Sequence, residues 1–202
     1  MIDEGYIKFE LFWEQQPNDF KFDISNLMHW RDKMHELNLI GNYPDLGIGF
    51  GNISQKFEKG NEFVISGTQT GDIYPIAEKH FTTVTNYDLA ANSVWCRGPL
   101  KASSESMTHA AIYEFDESIK AVIHVHHMEL WKQLLDRVPT SKADVPYGTP
   151  EMGMEIKRLF DEENLATERI MAMAGHDEGI ITFGATLEEA EAVLMDYYNQ
   201  LD

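Results

Sequence analysis

Residues 121–126, AVIHVH, are each either apolar or histidine, and His127 follows at once. Valine and isoleucine dominate the apolar positions, and β-branched side chains fit an extended strand. Alternation along a strand puts His124 and His126 on one face and Val125 on the other. No other stretch limits the fold so tightly, because it fixes an element and gives its two faces different chemistry. Two imidazoles about 6–7 Å apart along a strand can converge on one cation, given a third ligand from elsewhere. The same pair can also be partly exposed strand-end histidines bonded to backbone, and both readings stand on this run alone. His127 points elsewhere or opens the next helix.

The rest of the chain supplies partners for that strand. Residues 6–15 alternate in part, as a strand does. Residues 23–41 predict a helix, with Asp23 or Ser25 as cap and Gly41 as the stop. Short β-like segments follow in GFGNISQKF, NEFVISG and SVWCRG. Residues 103–116 predict a helix capped by Ser103 or Ser104. Residues 150–164 predict another, with proline in the first turn. ERIMAMAG and GIITFG predict strands, and the chain closes on an amphipathic helix capped by Thr186. Alternation of strands and helices without a strict βαβ rhythm predicts a sheet sandwiched between helices.

A length of 202 residues predicts one domain with a substantial core. The net charge of −18 argues against a nucleic-acid partner, since phosphate-backbone binding needs clustered Lys and Arg. It also opposes an anionic metabolite, so backbone N–H groups, a helix N-terminus or a metal ion must overcome that field locally. No phosphate-clamping arginine is evident. No apolar stretch approaches the ~20 residues that a membrane span requires. The first residues lack the pattern of a signal peptide, and Cys96 is the only cysteine, so a cytoplasmic location is the expectation.

Other residue groups bear on chemistry. His176 lies in a Gly-bounded turn, AGHDEG, between two predicted strands, where loops often carry functional side chains. Glu105 stands near a helix start; there it either complements the helix dipole or acts as general base and acid beside a metal. His109 shares its helical face and reads as a packing residue. The glycine-rich turns at 47–54 and 65–71 expose N–H groups able to cradle phosphate. Ser103 and Ser104 at a helix N-terminus form a third anion-friendly element.

GNIS at 51–54, SSE at 103–105, HVH at 124–126 and HDEG at 176–179 occur in an order and spacing that resemble the class II aldolase/adducin family. The likeness runs over roughly residues 24–200, with residues 1–22 an N-terminal extension of a single domain spanning 1–202. It implies an α/β fold, a three-layer α/β/α arrangement with a central, largely antiparallel sheet flanked by helices. It implies that His124, His126 and His176 bind a divalent metal, zinc or another transition ion. Glu105 is then the acid/base residue, and Asn52, Ser66, Gly67, Ser103 and Ser104 hold a substrate phosphate. Homotetramers with active sites between subunits are the family habit.

Three departures stand out. Alignment on Gly179 would put Glu178 rather than His176 at the third ligand position; we take His176, because it completes a three-histidine site. Both SGT at 66–68 and TQTG at 68–71 match the phosphate loop. The segment after HVHH is shorter than in the sugar-phosphate aldolases, and Tyr147 is not carried over as the catalytic tyrosine that region supplies in some of them. The function implied is a metal-dependent carbon–carbon lyase acting on a small phosphorylated ketose or similar hydroxy-carbonyl compound. A sugar-phosphate epimerase or dehydratase would use the same site, and a non-catalytic adducin-like module would have lost it.

Overall fold

The computed structural model describes residues 5–201. In chain order its elements are β1 (Glu10–Gln15), α1 (Ser25–Glu36), β2 (Gly41–Tyr43), β3 (Ile48–Phe50), β4 (Asn52–Lys56), β5 (Phe63–Ser66), β6 (Phe81–Asp88), β7 (Ser93–Gly98), α2 (Ser106–Phe115), β8 (Ala121–His126), α3 (Met128–Leu134), β9 (Thr140–Ser141), α4 (Pro150–Glu162), α5 (Leu165–Glu168), β10 (Ile170–Met173), β11 (Gly179–Gly184) and α6 (Leu187–Tyr198). The histidine-bearing run forms β8, buried at all six positions between β4 and β11. The nine-stranded sheet runs β1-β7-β6-β5-β4-β8-β11-β10-β9. Its pairs are antiparallel except β1–β7 and β9–β10. β2 and β3 form a separate hairpin.

Period-two alternation sorts the core into two clusters. Ala121, Ile123 and Val125 pack with Leu27 and Met34 of α1, Leu130 and Leu134 of α3, and Leu187, Ala190 and Leu194 of α6. On the other face Val122 joins Ala110, Ile112 and Tyr113 of α2 and Met152, Ile156 and Leu159 of α4. The sheet is therefore sandwiched between two helical layers, the three-layer α/β/α arrangement that the sequence predicts.

Helix ends differ in detail from the sequence-based expectation. α1 stops at Glu36, not at Gly41, because Asn38 takes a left-handed φ of +56° and turns Leu39 and Ile40 into the core. The Asp23 carboxylate accepts from the Ser25 N–H at 2.8 Å and from its hydroxyl at 2.9 Å. α2 begins at Ser106 with Glu105 in the cap position; the Ser103 hydroxyl accepts from the Glu105 N–H at 3.2 Å. Thr186 caps α6 as predicted, accepting from the Glu189 N–H at 3.2 Å. β6 is a strand that we do not predict: its threonine-rich run FTTVTNYD lacks the apolar alternation of its neighbours.

Candidate metal centre

Sheet register brings the three predicted histidines together. β11 pairs antiparallel with β8, Gly179 opposite His126 and Ile181 opposite His124, so the turn before β11 lies at the end of β8. That turn is closed by His176 N–H to the Met173 carbonyl at 3.1 Å and Gly179 N–H to the His176 carbonyl at 2.9 Å. A Cβ on Gly179 would stand 2.6 Å from His176 Cδ2, so glycine is what lets the imidazole fold back against the strand.

One donor atom from each of His124, His126 and His176 lies within 4.8 Å of the others, and all three residues are buried. The His124 and His126 Nε2 atoms are 3.1 Å apart. Tetrahedral zinc holds nitrogens at about 2.0–2.1 Å, which sets them about 3.4 Å from one another. Their outer nitrogens are engaged in the way that orients ligands. His124 Nδ1 lies 3.2 Å from the Ile180 carbonyl, an acceptor only, so that nitrogen carries the proton and Nε2 keeps its lone pair. Tyr43 donates its hydroxyl to Glu178 Oε2 at 2.7 Å, which leaves its oxygen to accept from His126 Nδ1 at 3.1 Å. Burial, followed by the neighbouring imidazoles, holds the pKa values of His124 and His126 well below the usual histidine range. Both rings are therefore neutral at pH 7, the form that binds a cation. The donor set, its tautomers and its burial fit a divalent transition metal.

Glu105 faces the same point, held in the cap position of α2 and 2% exposed. Its Oε1 lies 3.5 Å from His176 Nε2 and 3.9 Å from His124 Nε2. Glu178, the alternative third ligand, sits behind the cluster, 4.0 Å from the outer Nδ1 of His126. His127 caps α3, accepting from the Leu130 N–H at 3.1 Å, outside the group.

The predicted phosphate residues divide. Asn52, Gly67, Ser103 and Ser104 line a narrow pocket of about 340 Å³, its open mouth included, with Glu105 and His124 also in its wall. Thr68 to Gly71 line it too, so both candidate loop motifs contribute. Ser66 does not: its hydroxyl is turned to the β4 backbone, accepting from the Ile53 N–H at 3.2 Å. Asn52 lies opposite His124 in the β4–β8 register, and its buried Oδ1 has no partner among the described residues. An orphan acceptor beside the histidines suits a substrate hydroxyl.

Residues 46–198 match the profile described as the Class II Aldolase and Adducin N-terminal domain. The chain belongs to the class II aldolase and adducin family. Its fold is similar to that of an L-fuculose 1-phosphate aldolase (19% identity, 86% of this chain and 80% of that one, TM-score 0.64). It is also similar to YgbL from Klebsiella pneumoniae, titled a putative aldolase/epimerase/decarboxylase (15% identity, 85% and 82%, TM-score 0.61). A third is a sugar-phosphate aldolase from Thermotoga maritima (13% identity, 89% and 96%, TM-score 0.60). At these identities the likeness fixes the fold of this family member and leaves its reaction open.

Several residues around the centre carry no sequence signal for it. Tyr43 ends β2, a strand that the sequence does not announce. Tyr147 is buried with its ring centroid 4.5 Å from that of His176, so the shorter segment still delivers a tyrosine to the site. Its hydroxyl accepts from the Tyr6 N–H at 3.1 Å, and Lys8 Nζ lies 3.6 Å above its ring, which packs Tyr6 and Lys8 against that tyrosine. No motif announces any of these, because the partners are 29 to 141 residues apart along the chain.

Proposed function

We propose that the chain is a metal-dependent, aldolase-type carbon–carbon lyase acting on a small phosphorylated ketose or a similar hydroxy-carbonyl compound. The observation that carries it is a carboxylate on a helix start, within 3.5–3.9 Å of two of three converging buried imidazoles. His124, His126 and His176 hold the ion, zinc or a related divalent metal. Bound there, such an ion would supply Lewis-acid polarisation of a substrate carbonyl and offset the negative charge that carbon–carbon cleavage develops beside it. Glu105 moves a proton to or from the carbon released by that cleavage. Its cap position and near-complete burial hold the carboxylate in place, and the dry surroundings strengthen its interaction with charge developing on the substrate. The Asn52 side chain accepts a substrate hydroxyl, and the Gly67–Gly71 turn with Ser103 and Ser104 receives the phosphate through N–H and hydroxyl donors.

The family also includes non-catalytic modules, and retention of the buried triad together with Glu105 favours catalysis. We propose a cytoplasmic homotetramer, a state that light scattering reads directly. Incubation of zinc-loaded protein with a panel of ketose phosphates is expected to release triose phosphate. Glu105→Gln is expected to bind the same zinc with kcat reduced about 10²- to 10⁴-fold. Absence of cleavage for every ketose phosphate, with epimerised or dehydrated product instead, would move the assignment to those reactions.

A further inference from the structure

Arg31 of α1 is 0% exposed, a guanidinium wholly inside a chain whose net charge is −18. Its Nη2 donates to the carbonyl of Thr70 at 2.6 Å and to that of Gly71 at 3.0 Å. Nη1 donates to the carbonyl of Ile73 and lies 3.3 Å from Asp32 Oδ1. Asp32 is itself occupied, since the same oxygen accepts from the Ile76 N–H at 3.0 Å. Arg31 therefore meets one carboxylate and three backbone carbonyls of a single loop, and all of those carbonyls belong to residues 70–73.

The consequence follows from peptide geometry. In a trans peptide unit the C=O and N–H point in opposite directions. With the Thr70 and Gly71 carbonyls drawn towards α1, the N–H groups of Gly71 and Asp72 face away from it. For Gly71 that side is the pocket: a Cβ built on Gly49 would meet the Gly71 nitrogen at 3.2 Å, and both glycines line the pocket beside the histidines. The loop cannot back away, because a Cβ on Gly71 would fall 1.9 Å from the Gly41 carbonyl oxygen. Among the described residues, none lining that pocket is lysine or arginine. Its hydrogen-bond donors are neutral, and a positive charge sits one layer behind them.

We propose that Arg31 is a positioning residue for anion recognition. It holds the 70–73 loop through three of its carbonyls, turns the Thr70–Gly71 peptide so that the Gly71 N–H faces the pocket, and places a buried charge behind it. The pocket thereby selects a compact oxyanion, a phosphate above all, despite the acidity of the chain. This rests on the reading of the pocket as the seat of the substrate phosphate. Arg31 lies outside residues 46–198, so the family match does not assign it.

The test is titration of inorganic phosphate by calorimetry into the full chain and its Arg31→Met, Arg31→Lys and Asp32→Asn variants, with zinc content measured in parallel. Arg31→Met is expected to raise the phosphate Kd about 10- to 100-fold at unchanged zinc content, the size of a lost charge-assisted contact. Arg31→Lys keeps the charge but not the fork, and should recover part of that loss. Asp32→Asn leaves an acceptor for the Ile76 N–H and removes the opposing charge, so it should lower the Kd about two- to threefold. A merely structural arginine predicts no such gain. Phosphate binding by Arg31→Met within about twofold of the parent would overturn the role, as would weaker binding by Asp32→Asn. If Arg31→Met does not fold, the opposite signs expected for Arg31→Lys and Asp32→Asn decide. A parent chain that ignores millimolar phosphate would remove the pocket reading and the Arg31 role together, whereas normal parental binding with unresponsive variants removes only the latter.

Discussion

The two faces of β8 lie one residue apart and do different work. Ala121, Ile123 and Val125 enter a cluster built from the aliphatic stripes of α1, α3 and α6. Val122, His124 and His126 face α2 and α4, where polar groups are threaded through the core. There the Ser54 hydroxyl lies 2.7 Å from both His109 Nδ1 and the Tyr113 hydroxyl. Burying apolar surface is favourable, whereas burying neutral imidazoles and hydroxyls is costly unless each finds a partner. The aliphatic face thus offsets what the histidine face costs, and a sheet with two unlike sides can hold a dry polar site without unfolding around it.

Substitutions on the two faces should therefore separate metal binding from stability. His124→Ala is expected to abolish stoichiometric metal and all turnover, exceeding the roughly 10- to 100-fold loss in affinity typical when only a residue hydrogen-bonded to a ligand is removed. Elemental analysis beside a thermal melt reads both properties. Ile123→Ala, next to it on the other face, should lose about 2–5 kcal/mol of stability while the folded protein keeps its metal. Metal loss from folded Ile123→Ala would mean that the faces are not separable.

Acid should find the histidine face first. Burial holds His109 down to about 3, and it pushes His124 and His126 down as well. In the unfolded chain a histidine titrates near 6.5, so below that pH the unfolded state binds protons that the folded state refuses. Stability then falls as pH drops, and for His109 the loss ends at about 3. Metal-free protein should lose about 1.4 kcal/mol per pH unit for each such histidine below 6.5. Denaturant titrations at pH 7, 6 and 5 measure the slope, and His109→Gln should reduce it by one proton.

What the sequence discloses follows the same division. His124 and His126 are legible because strand alternation is a local rule. Glu105 is legible because a helix start is marked by SSE and an apolar run behind it. His176 is legible as a turn residue, but only the register of β11 on β8 shows that it meets the other two. Arg31 reads as one more charge on an amphipathic helix; that its guanidinium holds carbonyls 39 to 42 residues away is a tertiary fact with no local mark. Tyr43 and Tyr147 are hidden for the same reason. β6 is hidden differently, since threonine suits a strand without showing which face is buried.

The smallest effect expected tests the aliphatic side at its rim, where α6 is tied to α1. Asn26 donates to Glu188 Oε1 at 2.9 Å and Trp30 Nε1 donates to the same oxygen at 3.2 Å. Led by the Asn26 bond, these contacts bring the Glu188 carboxyl down to about 2. A depressed carboxylate contributes stability that is fully present above its unfolded pKa, near 4.5, and is lost as pH falls through about 2. The group is largely exposed, so solvent screening limits the contribution to below about 1 kcal/mol. Glu188→Gln should therefore match the parent protein below pH 2 and fall slightly short of it at pH 5–7, by a difference that shrinks in high salt. A larger loss at neutral pH would show that the α1–α6 seam depends on its rim, and that the stable face of the sheet is less purely aliphatic than its core suggests.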